Sequence, residues 1–232
     1  MKKKLLALAA LTMLGGCAAN SDNEARLQEL EVNQRLLAAQ MGLTEAVMPS
    51  KISYMDAFTM GDPKAPYVMI EFTDLQCPYC EKFQKDTFPE FKKKYVDTGE
   101  VLFVAKEFPL KQLHPQATQA AIALNCAANQ KPASYSDMKG HIFANRLNLS
   151  QEFYQDMAVE YSLNQEKLST CMQSKEEFDR VNTSYKYAFG LGLSSTPSFI
   201  FGKNNGDSAS DYKIAKGALT LEMIEQALEQ VK

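Results

Sequence analysis

Glu71-Phe72-Thr73-Asp74-Leu75-Gln76-Cys77-Pro78-Tyr79-Cys80 decides how this chain folds. Two cysteines two residues apart follow an apolar, β-branched and aromatic run, Tyr67 to Thr73, and open a helical pattern. That places the first sulfur at a helix N-terminus, where free backbone N–H groups and the positive end of the helix dipole favour a thiolate. The thiolate is the attacking species in disulfide exchange, so the placement sets both rate and redox poise. A purely structural disulfide is the competing reading, but so tight a loop is typically strained and reducible.

Upstream, Lys2, Lys3 and Lys4 precede an apolar run from Leu5 to Leu14 and then Gly15-Gly16-Cys17. A charged start, a short apolar core and small residues before a break predict a secretory signal over residues 1–16, too short to span a bilayer permanently. Cys17 after Leu14-Gly15-Gly16 resembles the lipobox of bacterial lipoproteins. The resemblance implies cleavage before Cys17, lipid on Cys17, and a lipidated tether over residues 17–23. Ala18 in the next position implies sorting to the outer membrane. Ordinary cleavage nearby, with Cys17 an accidental thiol, is the alternative.

Five cysteines are an odd number, which an exported chain must explain. Lipid on Cys17 leaves Cys77 and Cys80 as a close pair, with Cys126 and Cys171 far apart in an oxidising compartment. A four-thiolate zinc site is the other use of four cysteines, but the distant pair lacks knuckle spacing and Pro78 suits a redox turn. No metal and no cofactor are expected. A formal net charge of -3 gives no reason to expect nucleic acid or an anionic lipid surface as a partner.

Residues 24–48 change character. Leu27, Leu30, Leu37, Met41 and Met48 fall on a 3-4 spacing with Gln34 and Thr44 in the remaining seam positions, widened by Val32, Leu36, Leu43 and Val47. This predicts an amphipathic helix of about three heptads whose apolar face needs a partner. Self-association into a homo-oligomer is the favoured use, and folding back on the chain's own domain the alternative. Gly42 weakens the helix by about 1 kcal/mol relative to alanine.

Beyond Pro49-Ser50, Gly61-Asp62-Pro63 marks a turn and Tyr67 to Thr73 a buried strand. A helix runs from Cys77 to about Tyr95, kinked at Pro89. Val101 to Ala105 reads as a second strand, and about His114 to Gly190 as a helical block. Ser198 to Phe201, a turn over residues 203–207, Tyr212 to Ala215 and a helix from Leu219 to Val231 complete the chain. Strand-helix-strand, a helical block, then strand-strand-helix predicts an α/β domain with a helical insertion.

Cys77-Pro78-Tyr79-Cys80 early and Thr196-Pro197 late resemble the thioredoxin fold, and more closely the DsbA-like family of periplasmic thiol–disulfide oxidoreductases. The likeness covers residues 52–232, with the helical insertion at about 110–190. Phe108-Pro109-Leu110, His114-Pro115 and the alanine run to Cys126 look like entry into the family's helical domain. Ser195-Thr196-Pro197 looks like its cis-proline loop. Tyr79 is a departure, since strongly oxidising members carry His there, and a neutral Tyr implies a less oxidising couple.

The resemblance implies roles for individual residues. Cys77 is expected to be the exposed nucleophile of lowered pKa and Cys80 the more buried resolving thiol, with Pro78 fixing the turn. Glu71, six residues before Cys77, corresponds to a buried acid of raised pKa that exchanges a proton with the second cysteine; an edge carboxylate is the mundane alternative. Lys106 on the next strand is the candidate partner of Glu71. Thr196 and a cis Pro197 should present a backbone edge to an incoming peptide. Cys126 and Cys171 are expected to form a structural disulfide, a second redox pair being the alternative. His114 and His141 are read as structural.

The expected activity is thiol–disulfide exchange on cysteines of unfolded or misfolded exported proteins, in the periplasm of a Gram-negative bacterium. The helix at 24–48 favours an oligomeric isomerase or reductase; a monomeric oxidase of DsbA type is the alternative. Either needs a membrane redox partner. A non-catalytic binding or scaffold lipoprotein is the reading of a different class.

Overall fold

In the computed structural model, the described residues are 26, 30, 33, 34, 37, 38, 40, 41 and 48–232. The expected signal at 1–16, the tether and Cys17 lie outside them. So does most of the segment 24–48, whose described residues from 26 to 40 are helical. The chain divides into two units, residues 1–48 with 190–192 and residues 49–189 with 193–232. The larger unit holds the six-stranded sheet.

Its centre is β3 (Tyr67–Thr73), in which six of seven side chains are buried, as the apolar run requires of a strand covered on both faces. Around it form β1 (Lys51–Ser53), β2 (Phe58–Met60), β4 (Val101–Glu107), β5 (Ser198–Asn204) and β6 (Ser208–Lys216). They make one sheet in the order β1-β6-β5-β3-β4-β2. β3 and β4 run parallel, and every other pairing is antiparallel. The short β1 and β2 were not predicted; three residues each are too few to show a period of two. β4, β5 and β6 also run longer than the sequence suggested, because polar residues at their ends are held by ladder bonds, which composition does not reveal.

Register fixes what shares a face. Phe201, Met69 and Phe103 form one row across β5, β3 and β4, and Phe199, Glu71 and Ala105 form the next. A carboxylate thus stands in an apolar row. The chain from β3 to β4 covers this face with α1 (Pro78–Asp86) and α2 (Phe88–Phe91). Phe83 meets Phe199 edge-on at 4.7 Å between centroids, and Phe88 lies 4.7 Å from Phe103.

The single kinked helix expected to reach Tyr95 is in fact broken at Thr87. That residue ends α1 and precedes α2, and its hydroxyl donates to the Leu219 carbonyl at 2.9 Å. Pro89, lacking an N–H, sits in the first turn of α2, where no donor is needed. The segment continues as a wider turn, Lys92–Val96, whose bonds run five residues back, Asp97 N–H to Lys92 carbonyl at 2.9 Å.

The insertion comprises α3 (Ala117–Gln130), α4 (Tyr135–Ala144), α5 (Gln151–Glu160), α6 (Gln165–Met172) and α7 (Lys175–Gly190). Ser150 and Asn164 cap α5 and α6 by accepting from the N–H groups of Phe153 and Lys167. Cys126 of α3 and Cys171 of α6 are joined by a disulfide spanning 45 residues. Sulfurs so joined are not thiolate ligands, which removes two of the four donors a zinc site would need. α8 (Leu221–Glu229) closes the chain, burying Ile224 and Leu228.

Candidate active site

β3 delivers the chain to a turn, Asp74–Gln76, that is tied on three sides. The buried Asp74 carboxylate accepts from the N–H of Gln76 at 2.8 Å and of Leu110 at 2.7 Å, and lies 2.8 Å from His114 Nδ1. Its own carbonyl accepts from Cys77 N–H at 3.0 Å. Gln76 Oε1 accepts from Gln116 N–H at 2.6 Å, and its amide donates to the Arg146 carbonyl at 3.0 Å. Arg146 in turn reaches Glu81 of α1 at 2.6 Å. The insertion therefore holds the active-site turn from both sides.

Cys77 occupies the N-cap of α1 with extended backbone (φ -73°, ψ 123°), and Pro78 fills the first turn. Tyr79 projects outward, 63% exposed, and supplies the sulfur with its backbone N–H rather than its ring.

Thr196 and Pro197, joined by a cis peptide, face the same sulfur. The Cys77 thiol donates to the Thr196 carbonyl at 3.3 Å. That contact explains a departure from expectation: Cys77 is only 5% exposed, because the Thr196 backbone lies across it. Sequence could not show this, since the covering residue is 119 positions away.

The two thiols differ electrostatically. A hydrogen bond from the Cys80 thiol, then one from the Thr196 hydroxyl and the N–H groups of Cys80 and Tyr79, bring the Cys77 pKa down to about 6 against the opposing effect of burial. The Thr196 hydroxyl has no other partner in the neutral state, so it is available when the thiolate forms. Cys80 is driven well above the ordinary thiol range, first by burial and then by the Cys77 sulfur and the charge of Glu71.

Beneath the dithiol, Glu71 is wholly buried, and its Oε2 accepts from Lys139 Nζ of α4 at 2.6 Å. Lys106, the partner expected for Glu71, is not the one found. It pairs in register with Phe72 and so projects from the opposite face of the sheet, where its Nζ donates to the Met55 carbonyl at 3.1 Å. Lys139 was missed, although a signal existed: it is the one cation in the apolar stripe Tyr135, Met138, Ile142 and Phe143. Its ammonium also lies over the Phe103 and Phe143 rings, at 5.7 and 5.8 Å. Asp74 and the buried Glu107, at the end of β4, were missed as well. Glu107 was legible only as the fourth member of the alternation Val101, Phe103, Ala105.

Comparison with known proteins agrees with this geometry. A family profile described as Thioredoxin matches residues 54–220. The Na(+)/H(+) antiporter NhaA 1 of Mycobacterium sp. (strain KMS) is 29% identical over 142 residues, 60% of this chain and 22% of the antiporter. The chain thus spans less than a quarter of that relative's length. A Rickettsia conorii protein provisionally named a protein-disulfide oxidoreductase is 24% identical over 209 residues, 84% of this chain and 70% of that protein. Among solved structures, α-DsbA1 of Wolbachia pipientis superposes with a TM-score of 0.67 at 25% identity, over 81% of this chain and 94% of its own. With a matching profile over most of its length, a CxxC at a helix N-terminus and a helical insertion in the sheet domain, the chain belongs to the thioredoxin family, in the DsbA-like form of that fold.

Proposed function

We propose that this protein is a periplasmic thiol–disulfide oxidoreductase acting on cysteines of exported proteins, anchored to the outer membrane by lipid on Cys17. We read it as an oligomeric isomerase or reductase. The observation that carries the activity is the split between the two thiols, Cys77 brought down to about 6 and Cys80 pushed well up. At neutral pH one sulfur is a nucleophile, while the other keeps its proton until it is needed.

Cys77 thiolate attacks a substrate disulfide, forming a mixed disulfide and releasing one substrate thiolate. In isomerisation, that thiolate attacks another disulfide of the same substrate, and Cys77 finally leaves unchanged. In reduction, Cys80 gives its proton to Glu71, attacks Cys77 Sγ and expels the second substrate thiolate. Two electrons pass to the substrate and the Cys77–Cys80 bond forms. Thr196 and Pro197 offer a backbone edge along which an extended peptide docks.

Supporting self-association, Leu30, Leu37 and Met41 of the seam are exposed. One observation favours the oxidase reading instead: a stabilised Cys77 thiolate stabilises the reduced form, which makes the couple more oxidising.

Reactivation of a scrambled disulfide protein by the Cys17→Ala chain, with and without residues 24–48, separates the two. High activity that falls on deletion of the helix supports the oligomeric isomerase. Weak activity in both forms with fast oxidation of a reduced substrate establishes the monomeric oxidase. A Cys77→Ser protein that retains its function in cells would replace both with the scaffold reading.

A further inference from the structure

Glu71 is not the only acid on the buried face of the sheet. Glu107 stands one row further along β4, opposite Thr73, and is almost fully buried. Charged groups approach it from every side: Lys139 from α4, Arg180 from α7, Glu71 and Asp74 from β3 and its following turn, and Lys106 beside it on β4. Tyr135, at the start of α4, adds a buried phenol. Lys139 donates to Glu71, and Arg180 is engaged by Glu177 at 2.8 Å. Neither cation is bonded to Glu107, whose Oε2 has no protein partner, and burial raises its pKa to about 7. Two buried acids thus share one buried ammonium, and near neutrality the second acid retains a proton.

Glu107 also has a way out. It lines a cleft of about 330 Å³ at the β2 edge, together with Phe58, Asn125, Arg180 and Ser184. Asn125 is likewise nearly buried, with an amide Nδ2 that no protein group accepts. The cleft thus abuts two residues whose buried polar atoms lack a protein partner, the kind of site that a bridging water satisfies. Glu71 Oε1 is unpaired as well.

We propose that Glu107 is a proton-supplying residue for Cys80: it passes protons from the β2-edge cleft to Glu71, so that they reach the buried thiol from the edge of the sheet. The proposal rests on the reading of Glu71 as the acid that exchanges a proton with Cys80. When a substrate thiolate attacks Cys77 Sγ of the Cys77–Cys80 disulfide, the bonding electron pair goes to Cys80 Sγ. Glu107 gives its proton to the Glu71 carboxylate, and Glu71 passes it on to Cys80. A second substrate thiolate then displaces Cys77 as thiolate. The substrate loses two electrons and two protons: the reduced dithiol holds the electrons and one proton, and the other proton goes to solvent. Glu107 regains its proton from the cleft. Reduction of a substrate runs the path backwards. Glu107 acts through Glu71 and touches neither sulfur.

The test is the rate at which dithiothreitol reduces the Cys77–Cys80 disulfide of the full chain, followed by stopped flow against pH and corrected for the reductant's thiolate fraction. The unmodified protein should show a corrected rate that falls as pH rises through about 7. Glu107→Gln should lose that inflection and run about tenfold slower on the acid side. Its Cys77 thiolate titration, read by ultraviolet absorbance, should not move. Superimposable profiles overturn the relay alone. An unmodified protein reduced no faster than a small-molecule disulfide at every pH overturns the oxidoreductase reading, and the relay with it. Should Glu107→Gln fail to fold, carboxyl carbon NMR of the unmodified protein decides. A glutamate titrating near 7 whose midpoint moves between disulfide and dithiol forms supports the relay; the lack of any such glutamate overturns it.

Discussion

Lys139 Nζ lies 2.6 Å from Glu71 Oε2, and the two side chains are 1% and 0% exposed. The pair joins α4 of the insertion to β3 of the sheet directly beneath the dithiol, across 68 residues of sequence. Desolvating two charges is costly, and the pair offsets this only while both members are present. Lys139→Met should therefore destabilise the protein by about 3–5 kcal/mol at neutral pH, by leaving an uncompensated buried carboxylate. Adding Glu71→Gln should restore part of that loss, because a neutral amide needs no ammonium. Denaturant unfolding of the two single variants and the double variant checks this; strictly additive losses would contradict it.

Alkylation of Cys77 should follow its thiolate, with a midpoint near 6 in the reduced protein. Because the Cys80 thiol is the largest stabiliser of that thiolate, Cys80→Ala should raise the midpoint by about one unit. Thr196→Val, which removes a weaker donor, should raise it less. The pH dependence of iodoacetamide trapping at Cys77 gives the ranking.

Glu107 makes stability depend on pH. Its folded pKa, about 7, lies above the ordinary carboxyl value of 4.5. Below pH 4.5 the group is protonated in both states and its contribution is fully present. Between 4.5 and 7 the unfolded chain gives up the proton while the folded chain keeps it, so stability falls with rising pH by at most about 1.4 kcal/mol per unit. Above 7 the loss is complete. Glu107→Gln should flatten this interval, as unfolding curves at pH 5 and pH 8 would show.

Replacing both Cys126 and Cys171 by serine frees a loop of 45 residues and should cost about 4 kcal/mol in the chain-entropy description. The Cys77 alkylation midpoint should stay where it is, because the bridge joins α3 to α6 within the insertion. A large shift would show that the insertion's packing tunes the dithiol.

The sequence by itself determined the elements that need only local physics. A buried run followed by Cys77-Pro78-Tyr79-Cys80 specifies a strand that feeds a helix N-terminus, and Pro78 specifies where that helix starts. Alanine-rich periodicity between residues 117 and 130 specifies a buried helix. Glu71 was legible as the acid on the strand below the dithiol, because its place is counted along one segment.

Tertiary structure decided everything that depends on which segments meet. Lys106 is adjacent to Glu71 on the neighbouring strand, yet the pleat turns it to the opposite face, and α4 supplies Lys139 in its place. Cys77 is covered because residue 196 crosses it. Thr87 breaks its helix where its hydroxyl finds the Leu219 carbonyl. Each depends on burial and pairing between segments tens of residues apart, and desolvation, which sets the behaviour of both thiols and of Glu107, exists only once those segments have packed.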